Sequence, residues 1–174
     1  MTGGTLKERV QARVHAFPWP QIYLALAALG LGVLVYVVDR PPGATALPES
    51  ITLFQPTVRF FGTVGQSLPA FVHVFAFSVL TMALLGSRHR VAIAVCTGWF
   101  LVDTAFELGQ HPTINAELAK LIPSWFEAIP ILDRTDQLFR YGAFDPLDLL
   151  SIALGAFAAY VVTQRTQLRR TSHE

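Results

Sequence analysis

Asp103, Glu107 and Gln110 recur at i, i+4 and i+7 inside an otherwise apolar run from Val91 to Gln110. That spacing puts all three on one stripe of a helix. Asp145 and Asp148 open a second apolar run, and His73 stands near the start of a third. An ionisable side chain at mid-membrane costs about 2.5–3.5 kcal/mol, so such groups face protein or water and mark function. Two carboxylates in a partly dry site can divide acid and base roles, and a histidine beside one can carry a proton. The same acceptors can instead hydrogen-bond a lipid head group. The spacing leaves these readings open.

Other chemistries are poorly served. Ser67, Ser78 and Ser151 lie in no Gly-x-Ser-x-Gly elbow. Asp103, Glu107 and His111 share a helix face and could hold a divalent ion, but no His-x-x-x-His or His-Glu-x-x-His motif accompanies them. We therefore expect no metal and no cofactor, and the enzyme question stays open, leaning against. The lone Cys96 rules out an intrachain disulfide and reads as a small core residue.

The chain that must position these groups has 174 residues, 52% hydrophobic and 14% charged. Soluble domains carry roughly 25% charged residues, so the composition points to a membrane protein. A net charge of +1 gives no case for nucleic acid as a partner. Four stretches, about 21–38, 68–86, 91–110 and 145–163, are long and apolar enough for helices that cross a bilayer. Their dense apolar content disfavours barrel strands, which alternate. The expected fold is all-α: an integral membrane four-helix bundle forming a single transmembrane domain over 1–174.

Lys7, Arg9, Arg13, Arg88, Arg90, Arg165, Arg169 and Arg170 fall on one side after four crossings. Positive charge marks the cytoplasmic side, so both termini are expected there and both longer loops outside. Ala44, Thr45 and Ala46 resemble a cleavage site, but the first apolar run is long for a signal peptide and reads as an anchor. In the second outer loop Ile114, Leu118, Leu121, Ile122, Trp125, Phe126 and Ile129 recur at helical spacing. An interfacial amphipathic helix broken near Pro123 is expected there, or a flap over the bundle mouth. Ala28 and Gly32, and Ser151, Gly155 and Ala159, form small-residue faces suited to close helix packing.

This orientation brings the polar groups to one depth. Counted from Arg90, Asp103 lies about 20 Å and Glu107 about 25 Å up a core of roughly 30 Å. His73, counted from Leu68, lies about 7–8 Å below the outer surface. His73, Asp103, Glu107, Gln110 and Asp148 are thus expected to line one outer-leaflet polar pocket. Asp145, followed by Pro146, reads as a helix N-cap.

At these residues the chain resembles the VanZ-like membrane proteins. Their pattern has a histidine early in one helix and Glu-x-x-Gln at the outer end of the next. A stretch with two aspartates three apart and a later glycine then opens the last helix. The counterparts are His73, Glu107 to Gln110, and Asp145 and Asp148 running to Gly155, over about 68–160. Pro69 and Ala70 replace the family's Asp-Lys pair, Gly142 its arginine and Ile152 its asparagine. The resemblance implies a multi-pass protein of the bacterial inner (cytoplasmic) membrane, in a family linked to lipoglycopeptide resistance. The family has no settled chemistry; the convergent polar pocket itself suits contact with an amphiphile or lipid head group. A metal-assisted hydrolase or transferase on a lipid carrier is an alternative, as is a subunit of a homo-oligomer or membrane complex.

Overall fold

The computed structural model describes residues 18–41, 49–129 and 132–171. The tail charges Lys7, Arg9 and Arg13 and the Ala44, Thr45, Ala46 segment lie outside them. Four helices are long and apolar enough to cross a membrane, which makes this an all-α, multi-pass membrane protein. They are α1 (Trp19–Asp39), α2 (Val64–Leu85), α3 (His89–Gly109) and α6 (Pro146–Thr171). Between α3 and α6 lie the short α4 (Asn115–Leu121) and α5 (Thr135–Tyr141).

The helix ends follow local chemistry. Pro20 opens α1 in the first turn, where a missing N–H costs nothing. Gly86 ends α2 with φ of 93°, a conformation open to glycine, and its N–H bonds the Met82 carbonyl at 2.9 Å. Only Ser87 and Arg88 then separate it from α3, so α2 and α3 are antiparallel neighbours. Two boundaries differ from expectation. The polar Gly65, Gln66 and Ser67 belong to α2 rather than to the loop, because Pro69, early in the helix, forfeits a single rung of the ladder. Helix α6 runs past Thr163 to Thr171 through helix-forming polar residues that need no bilayer.

In the loop between α3 and α6 the helix breaks just before Pro123. Helix α4 stops at Leu121, and Ile122 and Pro123 are extended. A 3₁₀ turn follows over Ser124–Ala128, and α5 then doubles back onto α4. The expected apolar stripe is divided. Leu118 and the buried Phe139 of α5 close on Gly109 at the end of α3, whereas Leu121 and Trp125 are exposed. Phe139 stacks on Phe106 with ring centroids 5.8 Å apart. The α4–α5 hairpin therefore sits on the C-terminal end of α3.

Helix α2 is central, packing against α6 most extensively and also against α1 and α3. Val74, Phe75, Val79 and Met82 of α2 meet Ala25, Ala92, Cys96, Ile152, Ala156 and Ala159 in the core. The small residues set the spacing. The Val72 side chain lies against Gly32, and the Phe71 carbonyl against Gly155. A Cβ at Gly155 would stand 2.5 Å from that carbonyl oxygen, so the backbones could not keep this approach. Gly155→Ala is expected to cost about 1–3 kcal/mol, as overpacking of a tight core does. Gly98→Ala is the control: nothing lies within 4 Å of its added carbon, and relief of glycine's chain entropy favours it by about 0.5–1 kcal/mol. Thermal unfolding in detergent should move the two variants in opposite directions.

The two ends of the bundle differ in kind. At one end uncharged groups bond across helices: Gln21 Nε2 to Thr166 Oγ1 at 2.9 Å, and Gln164 Nε2 to the Ser87 carbonyl at 3.1 Å. The other end gathers the carboxylates. There the Asp39 carboxylate accepts the N–H groups of Phe60 and Phe61 at 2.8 and 2.9 Å, pinning the first long loop to α1.

Candidate functional site

Two facing ridges build the site. His73, Phe77 and Thr81 succeed one another at i+4 along α2, and Trp99, Asp103 and Glu107 do the same along α3. Running antiparallel, these ridges meet rung by rung. His73 Nδ1 lies 2.6 Å from Asp103 Oδ2, a charge-assisted distance. The His73 ring sits 4.4 Å from that of Phe77 and 6.1 Å from that of Trp99, centroid to centroid. Trp99 Nε1 donates to Thr81 Oγ1 at 3.0 Å, and Thr81 donates in turn to the Phe77 carbonyl. The indole is therefore satisfied and serves as an aromatic floor below the histidine. Asp103 is buried at 8% exposure, whereas the His73 side chain is 48% exposed.

Nearer the C-terminal end of α3, Glu107 ties α3 to α6. Its Oε1 accepts the Asp145 backbone N–H at 2.7 Å. Asp145 Oδ1 accepts the Leu147 N–H at 2.9 Å, the bond of a helix N-cap with Pro146 in the first helical position. Glu107 itself is 7% exposed. Asp148 lies one turn into α6 with its Oδ1 buried. The buried Ser67 hydroxyl, on the first turn of α2, faces that carboxylate as its hydrogen-bond donor. Asp148 also lies within electrostatic range of Arg40 and Glu107.

The residues do not form one uniform pocket. His73 joins Asp103, and Glu107 joins Asp145 with Asp148 close by. Gln110 joins neither: it turns back toward the Phe106 carbonyl of its own helix and packs over Gly142. His73 lies about 13–14 Å along α2 from its start at Val64. It reaches Asp103 because α2 projects beyond the end of α3.

Among the described residues, no three His, Cys, Asp or Glu side chains are grouped to hold a metal ion. His111 lies beyond the end of α3, where its Nδ1 accepts the Thr113 N–H and its ring packs near Phe144. A groove of about 280 Å³ between α3 and α6, lined by Ile93, Cys96, Phe100, Ala156 and Tyr160 among others, is apolar and apart from the carboxylates.

Three further residues belong with the site: Tyr36, Arg40 and Ser67. Arg40 donates to the Gln66 carbonyl at 2.8 Å, and Tyr36 stands one turn before it on α1. Both lie within electrostatic range of one another and of Asp148. In the sequence Arg40 reads as a flank of the first span. Its i+4 relation to Tyr36 is the one available sign of a shared face. No protein-family model, curated protein or solved structure matches the chain.

Proposed function

We propose that this is a VanZ-like envelope protein of the bacterial inner membrane, with both termini cytoplasmic. Its outer-side polar site binds an amphiphile or lipid head group without a chemical step of its own. The observation that carries this reading is the gathering of Glu107, Asp148, Ser67 and Arg40 from four helix ends at one end of the bundle. The exposed Leu121 and Trp125 on the neighbouring loop suit a position in the outer interface. A link to lipoglycopeptide susceptibility follows from the resemblance.

The test is expression in a lipoglycopeptide-susceptible bacterium, comparing the native chain with Glu107→Ala and Asp148→Ala variants at matched membrane levels. The native chain should lower susceptibility, and the variants should lose that effect while unfolding at temperatures that still leave them folded during growth. Unchanged phenotype and unchanged stability in both variants would remove the site from the function.

A further inference from the structure

The apolar groove between α3 and α6 owes its shape to residue size. Its floor is made of small side chains, Cys96 and Ala156, which are 7% and 9% exposed. Its walls are larger: Ile93 and Phe100 of α3, and Phe157 and Tyr160 of α6. Small floor residues between large walls leave about 280 Å³ open. From Ile93 to Phe100 the slot runs about 10 Å along α3, the form of a stretch of acyl chain rather than of a compact solute. Phe157 is 66% exposed, so the slot opens sideways on an apolar face of the bundle.

Toward the start of α3 the slot ends in polar groups. Tyr160 Oη and His89 Nδ1 lie 3.0 Å apart and join α6 to α3 there. Arg90 is exposed and stands one turn before Ile93, on the face it shares with Ile93 and Thr97 at i+3 and i+7. Charge at this end is one-sided. Arg88, Arg90 and Arg165 gather here, and among the described residues none of them forms a salt bridge. The acids of the four long helices are Asp39, Asp103, Glu107 and Asp148, each in the half of its helix nearer the other end. The first turn of α3 carries none. An apolar slot that ends at unneutralised cations is complementary to an amphiphile with an anionic head.

We propose that this groove seats one acyl chain of an anionic glycerophospholipid, whose phosphate is held by Arg90. The site stands apart from the polar groups at the other end of the bundle and does not depend on them. A zwitterionic lipid fits less well, because its ammonium would enter a region that already holds three arginines and no described carboxylate.

For the test, Phe157→Trp puts a reporter on the groove wall of a full-length chain whose three native tryptophans are replaced by phenylalanine. The protein is reconstituted in dioleoylphosphatidylcholine vesicles. Phosphatidylglycerol, phosphatidylethanolamine or phosphatidylcholine with brominated chains is added at one fixed fraction, and bromine quenches the indole on contact. Quenching should report a preference of about fivefold for the glycerol lipid over the choline lipid, the worth of one arginine beside an anionic head group. Arg90→Gln should bring that ratio close to one, and Arg90→Lys should keep most of it. Arg165→Gln, at the same end but on another face, should leave it unchanged. Thr97→Phe, which fills the slot from an exposed position on α3, should remove the preference with Arg90 intact. Equal quenching by all three lipids in the parent chain would overturn the site. So would a ratio that falls as far with Arg165→Gln as with Arg90→Gln, which is general surface charge, or one that survives Thr97→Phe. Absence of quenching by every lipid would mean that protein, the N-terminal tail or a second copy, fills the groove, and would overturn it as well.

Discussion

Replacing His73 with phenylalanine should cost more stability than replacing both His73 and Asp103 with apolar residues. The single change strips the histidine's hydrogen bond from a carboxylate that is 8% exposed. Breaking a buried pair from one side costs about 3–5 kcal/mol. Here the lower end applies, because the histidine is half-exposed and a phenylalanine can stack on Phe77 and Trp99 in its place. Asp103→Leu should cost about 1 kcal/mol, since the imidazole it orphans can turn toward the interface and lose only one modest hydrogen bond. In the double variant neither cost remains, and apolar replacement of a buried pair is often neutral or stabilising. The cycle should therefore give a coupling of about 4 kcal/mol by thermal unfolding in one detergent. Additive losses would mean that the pair contributes nothing as a pair.

That cycle is worth running because the pairing was not legible in the sequence. The four spans were, since apolar density and end charges state them directly, and so were the small-residue faces now found at Gly32 and Gly155. The i+4 stripe of Asp103 and Glu107 was also plain, because periodicity within one helix is a local property. Which face of α2 meets that stripe is not local. Gly65, Gln66 and Ser67 look like loop, and only the structure extends α2 through them. Ser67 was weighed solely as a nucleophile, and Arg40 as a flanking charge. Their relation to Asp148 depends on α1, α2 and α6 meeting at one end, which no spacing along the chain encodes. Helix α5 escaped notice for a different reason. Thr135 to Tyr141 is short and mixed in polarity, and its helical state depends on docking against α4.

Glu107 separates holding the fold from serving the site, and substitutions there should show two different responses. Its Oε1 receives the Asp145 N–H just before α6 begins, so it fixes where the last helix starts relative to α3. Glu107→Ala removes that acceptor and leaves a backbone donor unmet beside Pro146, which has no N–H to share the load. Hydrogen bonds to charged groups contribute about 1.5–3 kcal/mol, so a loss near 2 kcal/mol is expected. Glu107→Gln keeps an amide oxygen at the same reach and exchanges a charged acceptor for a neutral one, so it should cost less than about 1 kcal/mol. Stability by thermal unfolding should thus rank native, Gln, then Ala. The susceptibility phenotype proposed for the site should instead be lost equally in Gln and Ala, because the charge matters there and the backbone contact does not. If the phenotype were to follow stability through the series, Glu107 would be a clamp between α3 and α6 and nothing more.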